Sequence, residues 1–144
     1  MKLFSTRTHG VLDYLTAGML FALPRVFGWS EAVTRLLTNA AIGTVVYSVL
    51  TRYELGLIKV LPMKGHLTLD ALSGGLLCAA PFTFLDEDTP VTGALVGLGA
   101  YEIMAALTTE TEPSFNEQAG EFADAVSDQA SDAAEALRDS MSGL

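Results

Sequence analysis

One segment of this 144-residue chain is written twice, and that duplication limits its fold more than any other feature. The stretch H-G-V-L-D-Y-L-T-A-G-M-L-F-A-L-P-R-V-F from His9 returns as H-L-T-L-D-A-L-S-G-G-L-L-C-A-A-P-F-T-F from His66. Nine of nineteen positions are identical at an offset of 57, among them His9/His66, Asp13/Asp70, Gly18/Gly75 and Pro24/Pro81. Apolar composition alone gives roughly two matches. Both histidines of the chain belong to the repeat. An ionisable pair carried inside a duplicated apolar stretch predicts two copies of one helical element that share a single polar site.

The net charge of −9 hides two unlike pieces. Residues 1–109 hold eight acids against seven bases, whereas residues 110–144 hold nine acids and only Arg138. The first piece contains four apolar runs, at about 10–27, 31–53, 66–85 and 90–109. Each is near the ~20 residues a helix needs to cross the hydrocarbon core. A soluble bundle would need polar outward stripes, and Ala40 to Leu50 and Val91 to Leu107 offer almost none. The expectation is an all-α membrane domain over 1–109, a bundle of four transmembrane helices made of two parallel two-helix repeats at about 9–54 and 66–109. An acidic tail over 110–144 completes the chain. The first run follows Lys2 and Arg7 like a signal peptide, but Asp13 interrupts it and a second copy lies inside the chain, so it reads as a retained helix. Cys78 is alone and makes no intrachain disulfide.

Ser30 reads as an N-cap, and Thr89-Pro90 as an N-cap with proline at the first helical position. Pro24 and Pro81 should end or kink their helices at one depth. Ala17-Gly18, Gly74-Gly75 and Gly93-x-x-x-Gly97 supply small residues for close helix contact. Two spans per repeat give both copies one orientation. Lys2, Arg7, Arg52, Lys59 and Lys64 then share one side, against Arg25 and Arg35, which predicts a multi-pass protein of the cell membrane with both termini cytoplasmic. The apolar stretch 55–63 is too short to cross and reads as interfacial or re-entrant, and Trp29 as an interfacial anchor.

The H-x-x-x-D opening of each duplicated helix, T-R-Y-E-L-G after the second run and P-M-K-G-H before the third resemble the SPW-repeat family of small four-helix membrane proteins. The resemblance covers about residues 5–112. The Ser-Pro-Trp of that family stands here as Leu23-Pro24-Arg25 and Ala80-Pro81-Phe82, with only the prolines kept. It implies an integral membrane protein of two repeats and assigns no activity.

The candidate polar cluster lies at the cytoplasmic end. His9 and Asp13 are four residues apart, hence on one helix face, and His66 with Asp70 repeats the pair. Arg52, Tyr53 and Glu54 join them after the second run, and Glu102 lies two turns inside the fourth. Carboxylates in lipid are costly, so Asp13, Asp70 and Glu102 should face inward and find partners. The favoured reading is structural: the His/Asp pairs clamp the bundle, Arg52 neutralises an aspartate, and the protein has a structural or accessory role without catalysis. The rival reading is a redox or ion-handling protein. It offers a divalent metal on His9, Asp13, His66 and Asp70, a b-type haem between His9 and His66, or a proton path through Asp13, Asp70 and Glu102. Tyr47 and Tyr101 read as packing, and Met19, Met63 and Met104 as gap-filling core.

In the tail, Phe115, Phe122, Val126, Ala130, Ala133, Leu137 and Met141 recur at helical steps among acids. It reads as a solvated, partly helical or disordered segment, repelled by anionic lipid and open to a protein partner or self-association. Its acid excess fits a halophile-like host. No nucleotide, nucleophile or nucleic-acid motif appears, so the partners expected are the lipid bilayer and protein, with no nucleic acid.

Overall fold

Each apolar run becomes one helix. The computed structural model describes residues 2–112 together with Ser127, Gln129 and Ser131. Its helices are α1 (Thr6–Val26), α2 (Glu31–Leu50), α3 (Met63–Thr83) and α4 (Thr89–Thr108). There is no β-strand among the described residues, only two isolated parallel bridges, Phe4–Thr109 and Thr51–Leu61. The chain divides into units Met1–Pro113 and Ser114–Leu144. The apolar stripe expected in the tail lies outside the described residues.

The ends follow local chemistry. Ser5 caps α1 by accepting from the Thr8 amide at 3.2 Å, and Ser30 caps α2 through Val33 at the same distance. Asp88, not Thr89, caps α4 by accepting from Val91 N–H at 3.1 Å, which moves Pro90 to the second helical position. A carboxylate aimed at a helix N-terminus competes well with a hydroxyl because the end carries partial positive charge. Helices α1 and α3 end two residues past Pro24 and Pro81, in register with the repeat. Beyond α1 the chain reverses at Gly28, whose φ of +64° suits glycine, and Trp29 N–H reaches back to Pro24 O at 2.9 Å. Trp29 stacks on Phe27 and packs against the core, so it is part of the apolar cover of the α1–α2 turn.

The repeat is visible in what each helix buries. His9, Asp13, Ala17 and Leu20 on α1 correspond at 57 residues to His66, Asp70, Gly74 and Leu77 on α3. Val33, Leu37, Ala41, Thr44, Ser48 and Thr51 correspond at 58 residues to Val91, Leu95, Gly99, Glu102, Ala106 and Thr109. The extra residue lies in the α3–α4 turn, which is longer than the α1–α2 turn.

Helices pair as hairpins, α1 on α2 and α3 on α4, while α2 and α3 approach only briefly. The tightest crossing is not the expected Gly93/Gly97 spacing. Open space surrounds the Cβ positions of Gly18, Gly75, Gly93 and Gly97. Gly74 and Gly99 are the crossing pair: a Cβ on Gly74 would lie 2.5 Å from the Gly99 carbonyl oxygen. Met63 is core, but Met19 and Met104 are about half exposed, on outward faces shared with Val11, Leu15, Phe21, Ile42, Leu72 and Leu107.

Of the four spans expected, two helices, α2 and α4, are long and apolar enough by composition to cross a membrane. Helices α1 and α3 match them in length at 21 residues, but their ionisable residues lower their hydropathy.

Candidate metal centre

The four duplicated polar residues meet at one point. His9, Asp13, His66 and Asp70 are each at most 6 % exposed, and one ligand atom from each lies within 4.8 Å of all the others. His9 Nε2 is 2.9 Å from Asp70 Oδ2 and 3.3 Å from Asp13 Oδ1. His66 Nε2 is 3.1 Å from Asp13 Oδ2 and 3.2 Å from Asp70 Oδ2. Each histidine therefore faces its own repeat's aspartate and the other's. A tetrahedral ion with ligands at ~2.0–2.1 Å has ligand–ligand edges of about 3.3–3.4 Å. The three imidazole–carboxylate edges that share Asp13 Oδ1 and Asp70 Oδ2, at 3.3, 2.9 and 3.2 Å, are within a few tenths of an ångström of that, and the whole ligand set lies within 4.8 Å.

The far side of each ring is held by the other repeat. Thr109 Oγ1 lies 2.8 Å from His9 Nδ1, and Thr51 Oγ1 lies 2.8 Å from His66 Nδ1. Those hydroxyls are already committed: Thr109 donates to Ala105 O at 2.7 Å and Thr51 to Tyr47 O at 2.6 Å. A hydroxyl has one hydrogen, so each threonine oxygen is an acceptor and each Nδ1 is a donor. Both Nε2 atoms then point into the cluster as the nitrogens free to coordinate an ion, and His66 Nε2 has no hydrogen-bond partner. With two aspartates and two Nδ1–H imidazoles, charge balance at the centre calls for one divalent ion or two protons.

The carboxylates are oriented as well. Tyr47 donates to Asp70 Oδ1 at 2.6 Å, and Ser48 and Tyr53 reach Asp13 Oδ2 at 3.3 and 3.4 Å. Tyr53 is fully buried over Gly10, where a methyl group would overlap its ring. Burial, and then the Asp13 charge, push its phenol well above the usual value, which keeps it a neutral donor. Of these supporting groups only Tyr53 is expected from the sequence; Tyr47 looks like packing there, and Thr51, Thr109 and Ser48 carry no motif. The one signal there is the recurrence of Thr51 at Thr109, hidden by the change of offset from 57 to 58.

Other expected members fall elsewhere. Arg52 is exposed and donates to Lys59 O at 2.8 Å, so it neutralises no aspartate. Its position after the last turn of α2 directs it along the 51–61 loop instead of into the bundle. Glu54 accepts from Thr6 Oγ1 at 2.8 Å at the start of α1, apart from the His/Asp group. Glu102 is buried near the group but outside it: Ser73 approaches its carboxylate, yet neither oxygen has a well-formed hydrogen bond. Haem between His9 and His66 is not accommodated, because the two aspartate carboxylates already fill the space facing both Nε2 atoms.

Thr51→Val and Thr109→Val should each weaken divalent-ion binding about 10–100-fold, since outer-shell donors that fix a histidine tautomer carry that much affinity. Titration with Zn²⁺ against a competing chelator measures this. Unchanged affinity in both variants would mean that the threonines do not set the tautomer.

Compared with protein-family models, with curated proteins and with solved structures, the chain matches none.

Proposed function

We propose that this is an integral membrane protein of structural or accessory role whose two helical hairpins are joined by a divalent cation held on His9, Asp13, His66 and Asp70. The observation that carries the reading is the convergence of two imidazole nitrogens and two carboxylate oxygens within 4.8 Å, one His/Asp pair from each repeat. Two imidazoles and two carboxylates suit a borderline ion of the zinc type, with harder divalent ions less well matched. Four protein ligands make a closed, structural site, in keeping with a protein without catalysis of its own.

The membrane part of the reading rests on an inverted surface. The bundle buries histidine, aspartate, glutamate and threonine, and exposes Val11, Leu15, Phe21, Ile42, Val46, Leu72, Leu76 and Phe82. Helices of 20–21 residues span about 30 Å, the thickness of the hydrocarbon core. A four-span arrangement with both termini cytoplasmic, and the resemblance to SPW-repeat proteins, belong to the same proposal.

The 2.9 Å contact of His9 with Asp70 favours a second reading, in which two protons take the place of the ion and the cluster is a hydrogen-bonded clamp. Elemental analysis of the full-length protein, extracted from membranes with detergent, separates the two. One divalent transition ion per chain is the expected result. A metal-free protein that takes up no added Zn²⁺ leaves the proton-filled clamp, and release into the aqueous fraction without detergent removes the membrane assignment.

A further inference from the structure

The repeat is broken where α4 meets the centre. Glu102 stands in place of Thr44, and Ala105 in place of Tyr47, so the ring that covers Asp70 from one side has no counterpart on the other. The missing ring leaves a cavity of about 10 Å³, bordered by His9, Asp13, Asp70, Thr44, Tyr101 and Glu102. That is room for about one water molecule or one ion shed of most of its water. Glu102 is 6 % exposed, and both of its carboxylate oxygens are buried without a partner. A bare carboxylate in such surroundings is costly unless it is protonated or paired with a cation. The remaining sides of the centre are closed by Ser48, Thr51, Tyr53 and Thr109, all fully buried.

We propose that Glu102 is a transient cation-binding residue, the waypoint through which a divalent ion passes into and out of the His9–Asp13–His66–Asp70 centre. This inference rests on the metal-binding reading above. The cavity touches three of the four ligands, and a carboxylate there replaces water lost by the ion before the next ligand is reached. A waypoint lowers the barrier in both directions. A carboxylate that acts only through its field does something different: its loss slows loading and hastens release.

The test uses full-length protein in detergent, with Zn²⁺ loading followed by stopped flow and release followed after excess chelator. Glu102→Gln should still bind one Zn²⁺ per chain at saturation, but load and release it at least about tenfold more slowly, the low end of what a charged cleft adds to association. Ala105→Val keeps every charge and fills the cavity, so it should slow both steps as well. Unchanged loading in Glu102→Gln, or slower loading with faster release, overturns the waypoint. If Glu102→Gln holds no ion at saturation, Ala105→Val decides, and unchanged rates there overturn it too. A wild-type protein that binds no Zn²⁺ removes the metal reading itself, an outcome visible before any variant is compared.

Discussion

His9→Ala and His66→Ala should each weaken divalent-ion binding by more than about 100-fold, and by matching amounts. Outer-shell partners alone carry ~10–100-fold, and a ligand contributes more than the group that orients it. Equality follows from the geometry: each Nε2 faces both aspartates at 2.9–3.3 Å, and each Nδ1 meets a threonine at 2.8 Å. Removing either ring also leaves two buried carboxylates short of compensating charge. Breaking a buried charge pair from one side costs about 3–5 kcal/mol, so both variants should melt well below the wild type. Binding isotherms and thermal unfolding in detergent measure the two effects. One silent variant beside one crippled variant would show that the two halves do not build a common site.

Gly74→Ala and Gly99→Ala should each destabilise the α3–α4 hairpin by about 1–3 kcal/mol, the usual cost of overpacking. The added methyl meets a backbone carbonyl across the crossing, and backbone cannot rotate away as a side chain can. Gly75→Ala and Gly93→Ala are the controls, because their Cβ positions face open space. They should be neutral or up to about 1 kcal/mol more stable than wild type, because alanine is the better helix former. The first hairpin carries Ala17 and Ala41 at the equivalent places and buries both, so its helices must cross farther apart. Equal changes in all four glycine variants would mean that the Gly74–Gly99 crossing does not set the effect.

Much of the fold is legible in the order of residues. The His9 and His66 copies, the cap at Ser30, Pro90 near the start of α4 and the prolines at the far ends locate four helices of 20–21 residues in two hairpins, with the α4 cap one residue earlier than Thr89. The pairings His9–Asp13 and His66–Asp70 are legible too, because helical spacing puts residues four apart on one face. The sequence misleads at Arg52, where proximity in the chain suggests a partner for aspartate. A residue just past a helix end can leave in any direction, and only the loop path sets this one on Lys59.

Local matters follow from the amino-acid order: helix lengths, ends, the polar pairs and the apolar outward faces. Those depend on interactions over a few residues and on the solvent each face prefers. Packing in three dimensions is what turns His9 to Asp70 and His66 to Asp13, sets Thr109 and Thr51 on the opposite repeat's ring, and brings Gly74 against Gly99. The polar contacts among these join residues 15 to 100 positions apart, where spacing along the chain sets no distance in space. The empty place opposite Tyr47, with Glu102 beside it, is likewise a product of packing two unequal copies together. An alanine among many alanines does not say which ring is missing.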